Sequence, residues 1–203
     1  MDIVKRLSQE AENWLANMAQ ELGPLKKPLP IWIGGGVATE FHTGTLVRDS
    51  MAVGFGENRV LVRHRLSSFL VAAEPDNREI YVRLGLGRWN EMLAPGWMER
   101  AEASGRNGPF EIHVMAPLDI ATSIIGGDFW AVDRDEIRTL AIHGLLEAEE
   151  LRITARAALD LFIGDIGFLE TRIEKAVEVV GEGLAIRAER LLGKPERNLS
   201  PEM

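Results

Sequence analysis

The chain has 203 residues and a mass of 22.5 kDa, of which 46% are hydrophobic and 27% charged. That is enough apolar material for a substantial core and excludes a globally disordered polymer. A formal net charge of −8 disfavours a broad nucleic-acid-binding surface, and the lack of cysteine excludes disulfides, thiolate metal sites and cysteine nucleophiles.

The N-terminus, Met1-Asp2-Ile3-Val4-Lys5-Arg6, leads into an amphipathic pattern and not into an apolar signal core. No apolar run is long enough to span a bilayer, so the expectation is a soluble, cytoplasmic protein with no membrane partner. Ile3, Leu7, Ala11, Trp14, Leu15, Met18 and Leu22 fall at helical spacing, which predicts a helix over residues 3–22 stopped by Gly23-Pro24.

An apolar strand follows at Leu29-Pro30-Ile31-Trp32-Ile33, then the turn Gly34-Gly35-Gly36 and a short helix to His42. Strand, glycine turn and helix together aim backbone N–H groups along a helix N-terminus, where the macrodipole favours phosphate. Gly34, Gly35 and Gly36 are therefore the candidate nucleotide-binding residues. The simpler role of the same glycines is a tight connection that needs positive φ.

Val53–Phe55, Val60–Val62, Ser67–Ala73 and Glu79–Leu84 have strand-like composition, which points to a mixed sheet. Trp89, Met92, Leu93, Trp97 and Met98 punctuate a glycine-rich tract and are expected to anchor a loop onto the core. The polar stretch from Glu99 to Asn107 reads as irregular, with a loop end near Ser104–Gly108. Phe110-Glu111-Ile112-His113-Val114 alternates, placing Glu111 and His113 together on one strand face.

Pro117 opens a helix to about Ile125, ended by Gly126-Gly127. Asp133–His143 predicts another, and Asp133, Asp135 and Glu136 read as solvated first-turn charges. Glu147–Ile163 and Ile166–Leu192 complete the helical part, with a break expected at Gly181 and Gly183. His42, His64 and His143 have no metal-ligand spacing.

The Gly-Gly turn and helix, Arg48-Asp49 after Gly44, Ala116-Pro117-Leu118-Asp119-Ile120-Ala121, Asp133-Arg134-Asp135-Glu136-Ile137, Gly144-Leu145-Leu146 and Ala157-Ala158-Leu159 running to Gly164-Asp165 carry a resemblance. Over roughly residues 25–180 they resemble the nucleotidyltransferase-like domains of the abortive-infection (AbiEii-type) toxin group. The resemblance implies an α/β (α+β) fold: a mixed β-sheet flanked by helices, with a helical C-terminal part. Together with the helical spacings it gives an α/β core with its N-terminal helix over 1–125 and a helical region packed on that core over 126–193, while the prolines and charges of 194–203 read as a frayed tail.

It also implies a metal site of two carboxylates one residue apart on a strand, plus a third from a neighbouring strand. Asp49 takes the first position but Met51 takes the second, and a thioether cannot hold magnesium. Thr45, Val47 and Ile124 stand where the family carries arginine, serine or threonine, and lysine.

The implied protein is a degenerate, non-catalytic member acting through nucleotide or protein binding in a toxin–antitoxin or phage-defence setting. Its partners would be a nucleotide, a protein or a second copy held through the C-terminal helices. The alternative is a divergent nucleotidyltransferase moving a nucleoside monophosphate from a nucleoside triphosphate to an RNA, protein or small-molecule acceptor. In that case Asp49 and Glu111 are catalytic, and Asp49, Glu111 and His113 hold Mg2+ with the nucleoside triphosphate. A third reading packs Leu46, Val47, Met51 and Ile124 together as a filled cleft.

Overall fold

Ile31 and Ile33 alternate with Pro30 and Trp32, and the alternation predicts a strand with one face in the core and one turned away. The structure, a computed structural model, describes residues 6–48, 50–55, 81–85, 92–127, 129–162 and 166–193. The strand is β1, Leu29–Gly34, and both isoleucines are fully buried. Ahead of it lies α1, Gln9–Leu22, whose Ala11, Leu15, Met18 and Leu22 form the buried stripe.

After β1 the chain turns at Gly35 into α2, Gly36–Thr43, which ends at Gly44 in the left-handed conformation. β2, Ser50–Phe55, pairs antiparallel with β1, and β3, Tyr81–Gly85, pairs parallel with β2. The short α3, Trp97–Arg100, leads into β4, Glu102–Asn107, and then β5, Phe110–Val114. β5 returns to lie parallel to β1, with Leu29 opposite Phe110 and Ile33 opposite Val114. The five strands lie in the order β3-β2-β1-β5-β4.

Glu102–Asn107 is a strand where a polar, irregular segment was expected. It is an edge strand antiparallel to β5, with a register irregularity between Ala103 and Gly105. Its side chains are mostly exposed, so no buried face marks it in the sequence. Backbone pairing to β5 supplies what side-chain pattern does not.

α4, Pro117–Gly126, α5, Ala131–Ile142, α6, Ala148–Leu159, and α7, Ile166–Leu191, form the helical C-terminal part. One buried cluster joins them to the sheet, running from Leu7 and Ile31 through Ile120 and Ile137 to Val180. Arg172 of α7 donates to the carbonyls of Ile125 and Gly127, satisfying the C-terminal end of α4.

The break expected at Gly181 and Gly183 does not occur, because α7 runs unbroken through both. Gly183 is buried against α5, where an added Cβ would stand 2.6 Å from the Ala141 Cβ and 2.8 Å from the Arg138 carbonyl oxygen. The glycine is a contact surface that lets two helices approach closely.

Met92 is buried and Leu93 and Trp97 pack on the core, as an anchoring role requires, whereas Met98 is exposed. The strands expected at 60–62 and 67–73, Trp89, the tail over 194–203, His64 and Asp49 lie outside the described residues. Among the described residues no helix is long and apolar enough to cross a membrane.

Candidate functional site

The glycine turn is enclosed by its neighbours. Gly35 has φ 72°, which a residue with a side chain rarely adopts, and it caps α2 through the hydrogen bonds Ala38 N–H and Thr39 N–H make to its carbonyl. Gly34 is buried, and an added Cβ would lie 2.7 Å from Met115 Sδ. Gly36 is buried beneath the Arg48 backbone, and its own N–H donates to Ser50 Oγ at 3.1 Å. Ser50 therefore takes one of the donors a phosphate would use, a capping role visible in the fold and unmarked in the sequence.

β2 places its side chains differently from the arrangement the resemblance implied. Met51 and Val53 are fully buried on the core side, and the other face carries Ser50, Ala52 and Gly54. Position 51 thus points into the core, so no side chain there could join a metal site on the opposite face. The β2 residues on that face, Ser50, Ala52 and Gly54, carry no carboxylate.

Across β1 the same face continues. Trp32 lies in register with Gly54 on one side and His113 on the other, and Pro30 stands opposite Glu111. The Trp32 and His113 rings stack with centroids 5.5 Å apart and planes 21° apart. Trp97 of α3 meets Trp32 edge-on at 5.9 Å. The Trp32 indole N–H is buried with no hydrogen-bond partner.

Glu111 and His113 do share this face, both half-buried, and Arg106 of β4 stands in register with Glu111. Among the described residues no three His, Asp or Glu side chains form a group able to hold a metal ion. His42 is engaged elsewhere: its Nε2 is 2.8 Å from the Met115 carbonyl oxygen and its Nδ1 4.0 Å from Glu102. Of the filled-cleft residues, Met51 is fully buried and Ile124 packs against the same core, whereas Leu46 is exposed.

α3 is held by an ion pair. Asp119, fully buried in the first turn of α4, accepts from Arg100 Nε at 2.9 Å and Nη2 at 2.6 Å, and Arg100 Nη1 donates to the Pro95 carbonyl. This two-point clamp fixes the turn that carries Trp97. The Asp119 hydrogen bond is also the main reason the Arg100 guanidinium is held above its ordinary value.

Behind the glycine turn lies a second polar group. Arg48 Nη1 donates to Asp133 Oδ1 at 2.5 Å, and Asp133 Oδ2 accepts from Trp130 N–H at 2.7 Å, capping α5. Glu136, one turn further and almost completely buried, accepts from Thr39 Oγ1 of α2 at 3.2 Å. Asp133 and Glu136 are therefore interior groups and not the solvated charges expected. The signal was present: positions 133, 136, 137 and 140 follow the helical stripe that Ile137 and Leu140 mark as buried.

Burial pushes the Glu136 carboxyl up from 4.5 to about 7, opposed by the Thr39 hydrogen bond and the Arg48 charge and reinforced by Asp133. The folded chain keeps a proton that the unfolded chain releases. The resulting stabilisation is complete below about pH 4.5 and is lost as pH rises through about 7. Urea unfolding at pH 5 and pH 8 is expected to show wild type losing about 2–3 kcal/mol relative to Glu136→Gln across that interval. Equal losses in both proteins would remove Glu136 as the cause.

No protein-family model matches the chain, and no curated protein sequence and no solved structure matches it.

Proposed function

We propose that this is a non-catalytic protein of nucleotidyltransferase-like architecture that works by binding a nucleotide or a protein, in the cytoplasm and in a toxin–antitoxin or phage-defence setting. The observation that carries this reading is the composition of one sheet face. β2 offers it Ser50, Ala52 and Gly54, whereas metal-dependent phosphoryl chemistry needs clustered carboxylates. Beside them stand the stacked Trp32 and His113 rings and a buried indole N–H without a partner. A planar, hydrogen-bonding group such as a nucleobase suits that chemistry. For protein contacts, α7 offers exposed Ile166, Phe168 and Leu191.

The second reading, a divergent nucleotidyltransferase, is favoured by one observation: Glu111 and His113 project from the same face two residues apart. Asp49 would have to complete that site with Mg2+.

Calorimetric titration with ATP, GTP, CTP and UTP, each with and without magnesium, separates the readings. The expected result is binding indifferent to magnesium and weakened by His113→Ala. Magnesium-dependent binding lost in Glu111→Gln and Asp49→Ala would favour the enzyme. No heat with any nucleotide would overturn the nucleotide reading and leave the protein-binding one.

A further inference from the structure

We propose that Glu136, Thr39, Asp133 and Arg48 form a proton-responsive latch that sets how firmly Arg48 and Ser50 are held against the glycine turn. The four residues come from three places in the chain. Thr39 is on α2, Arg48 lies just ahead of β2, and Asp133 and Glu136 occupy successive turns of α5. They meet through the Thr39–Glu136 hydrogen bond and the Arg48–Asp133 ion pair.

The latch reaches the turn through Arg48. Its backbone lies directly over Gly36, its carbonyl accepts from Ser50 N–H at 2.8 Å, and Ser50 Oγ accepts from Gly36 N–H. A displacement of Arg48 therefore moves the atoms that cap α2. The Arg48 side chain is only partly buried, whereas that of Asp133 is nearly enclosed, so the guanidinium is the member with room to move.

Protonated Glu136 is neutral, leaving Asp133 as the charged partner of Arg48. Ionised Glu136 places a second buried negative charge beside Asp133, and the two carboxylates then compete for one guanidinium. Arg48 is drawn from Asp133 toward Glu136, and its backbone over Gly36 shifts with it. The raised affinity of Glu136 for its proton puts this exchange near neutrality.

The packed elements carry other charged groups, among them Glu40 of α2, half-buried and next to Thr39 in the chain. Asp119 of α4 is bound to Arg100, Glu182 of α7 to Arg138, and His42 of α2 lies against the Met115 carbonyl and Glu102. Because Glu40 and His42 also sit on α2, the test must separate them from Glu136.

Proton–nitrogen correlation spectra of the full chain between pH 5.5 and 8.5 would follow the amides of Gly35, Gly36 and Ser50, with the Glu136 carboxyl carbon observed by isotope labelling. All four signals are expected to titrate together with a midpoint near 7. Glu136→Gln should abolish the amide titration. Asp133→Asn, which removes a charge that disfavours ionisation, should move the midpoint to lower pH. Flat amides, amide titration surviving in Glu136→Gln, an unchanged midpoint in Asp133→Asn, or a Glu136 carbon titrating near the ordinary carboxylate value of about 4.3 would each overturn the latch. The carboxyl signal is read in wild type, so the test stands even if a variant fails to fold.

Discussion

Gly36→Ala is expected to cost about 3 kcal/mol or more of unfolding free energy. The added Cβ would fall well inside contact distance of the Arg48 carbonyl oxygen and 2.9 Å from the carbonyl carbon. Both are backbone atoms, so no side-chain rotation relieves the overlap. The Arg48 backbone must move, and the Gly36–Ser50 hydrogen bond goes with it. Chemical denaturation monitored by circular dichroism measures the loss. Gly181→Ala is the control, since an added Cβ there meets nothing within 4 Å and helix propensity alone predicts a small gain. A cost below about 1 kcal/mol for Gly36→Ala would mean that the turn can open without harm to the fold.

Arg100→Ala is expected to remove about 3 kcal/mol, because it leaves the fully buried Asp119 carboxylate without its bidentate partner. The pair itself is not a large net source of stability. Arg100→Met combined with Asp119→Leu should recover much of the loss by replacing two charges with apolar packing. The near-ultraviolet circular dichroism of Arg100→Ala should also change, since the clamp holds the turn that sets Trp97 edge-on to Trp32. A loss of only a few tenths of a kcal/mol would place this pair with ordinary surface ion pairs.

What could be read from the sequence depended on whether burial left a periodic trace. β1 and β5 alternate, α1 carries a stripe at helical spacing, and α4 begins at a proline suited to its first turn, so each is legible. β4 leaves no such trace because an edge strand with exposed side chains is specified by its neighbour's backbone. Gly183 misleads for the opposite reason: helix propensity treats it as a weak point, while the α5–α7 contact uses its missing side chain.

At the candidate site, the alternation that puts Glu111 and His113 on one face was legible. The stacking of His113 on Trp32 was not, since it needs the parallel pairing of strands far apart in the chain. Residue identity at Met51 was informative, but its direction depended on where β2 begins, and a one-residue change of register exchanges the two faces. The charge of Asp119, Asp133 and Glu136 argued for surface, although Asp133 and Glu136 lie on the stripe that Ile137 and Leu140 mark. Their partners Arg100, Arg48 and Thr39 lie 19, 85 and 97 residues away, beyond any local pattern.

The pairing of β1 with β5 has a consequence for the order in which the chain can assemble. β1 finds β2 nearby, but its parallel neighbour begins about 80 residues later, at Phe110 opposite Leu29. During synthesis at roughly 5–20 residues per second, β1 waits about 4–16 s for that neighbour to be made. Throughout that interval one backbone edge of an apolar strand has no native cover. The nascent chain therefore carries its greatest exposure to misassociation at its centre, before α4 to α7 have been made.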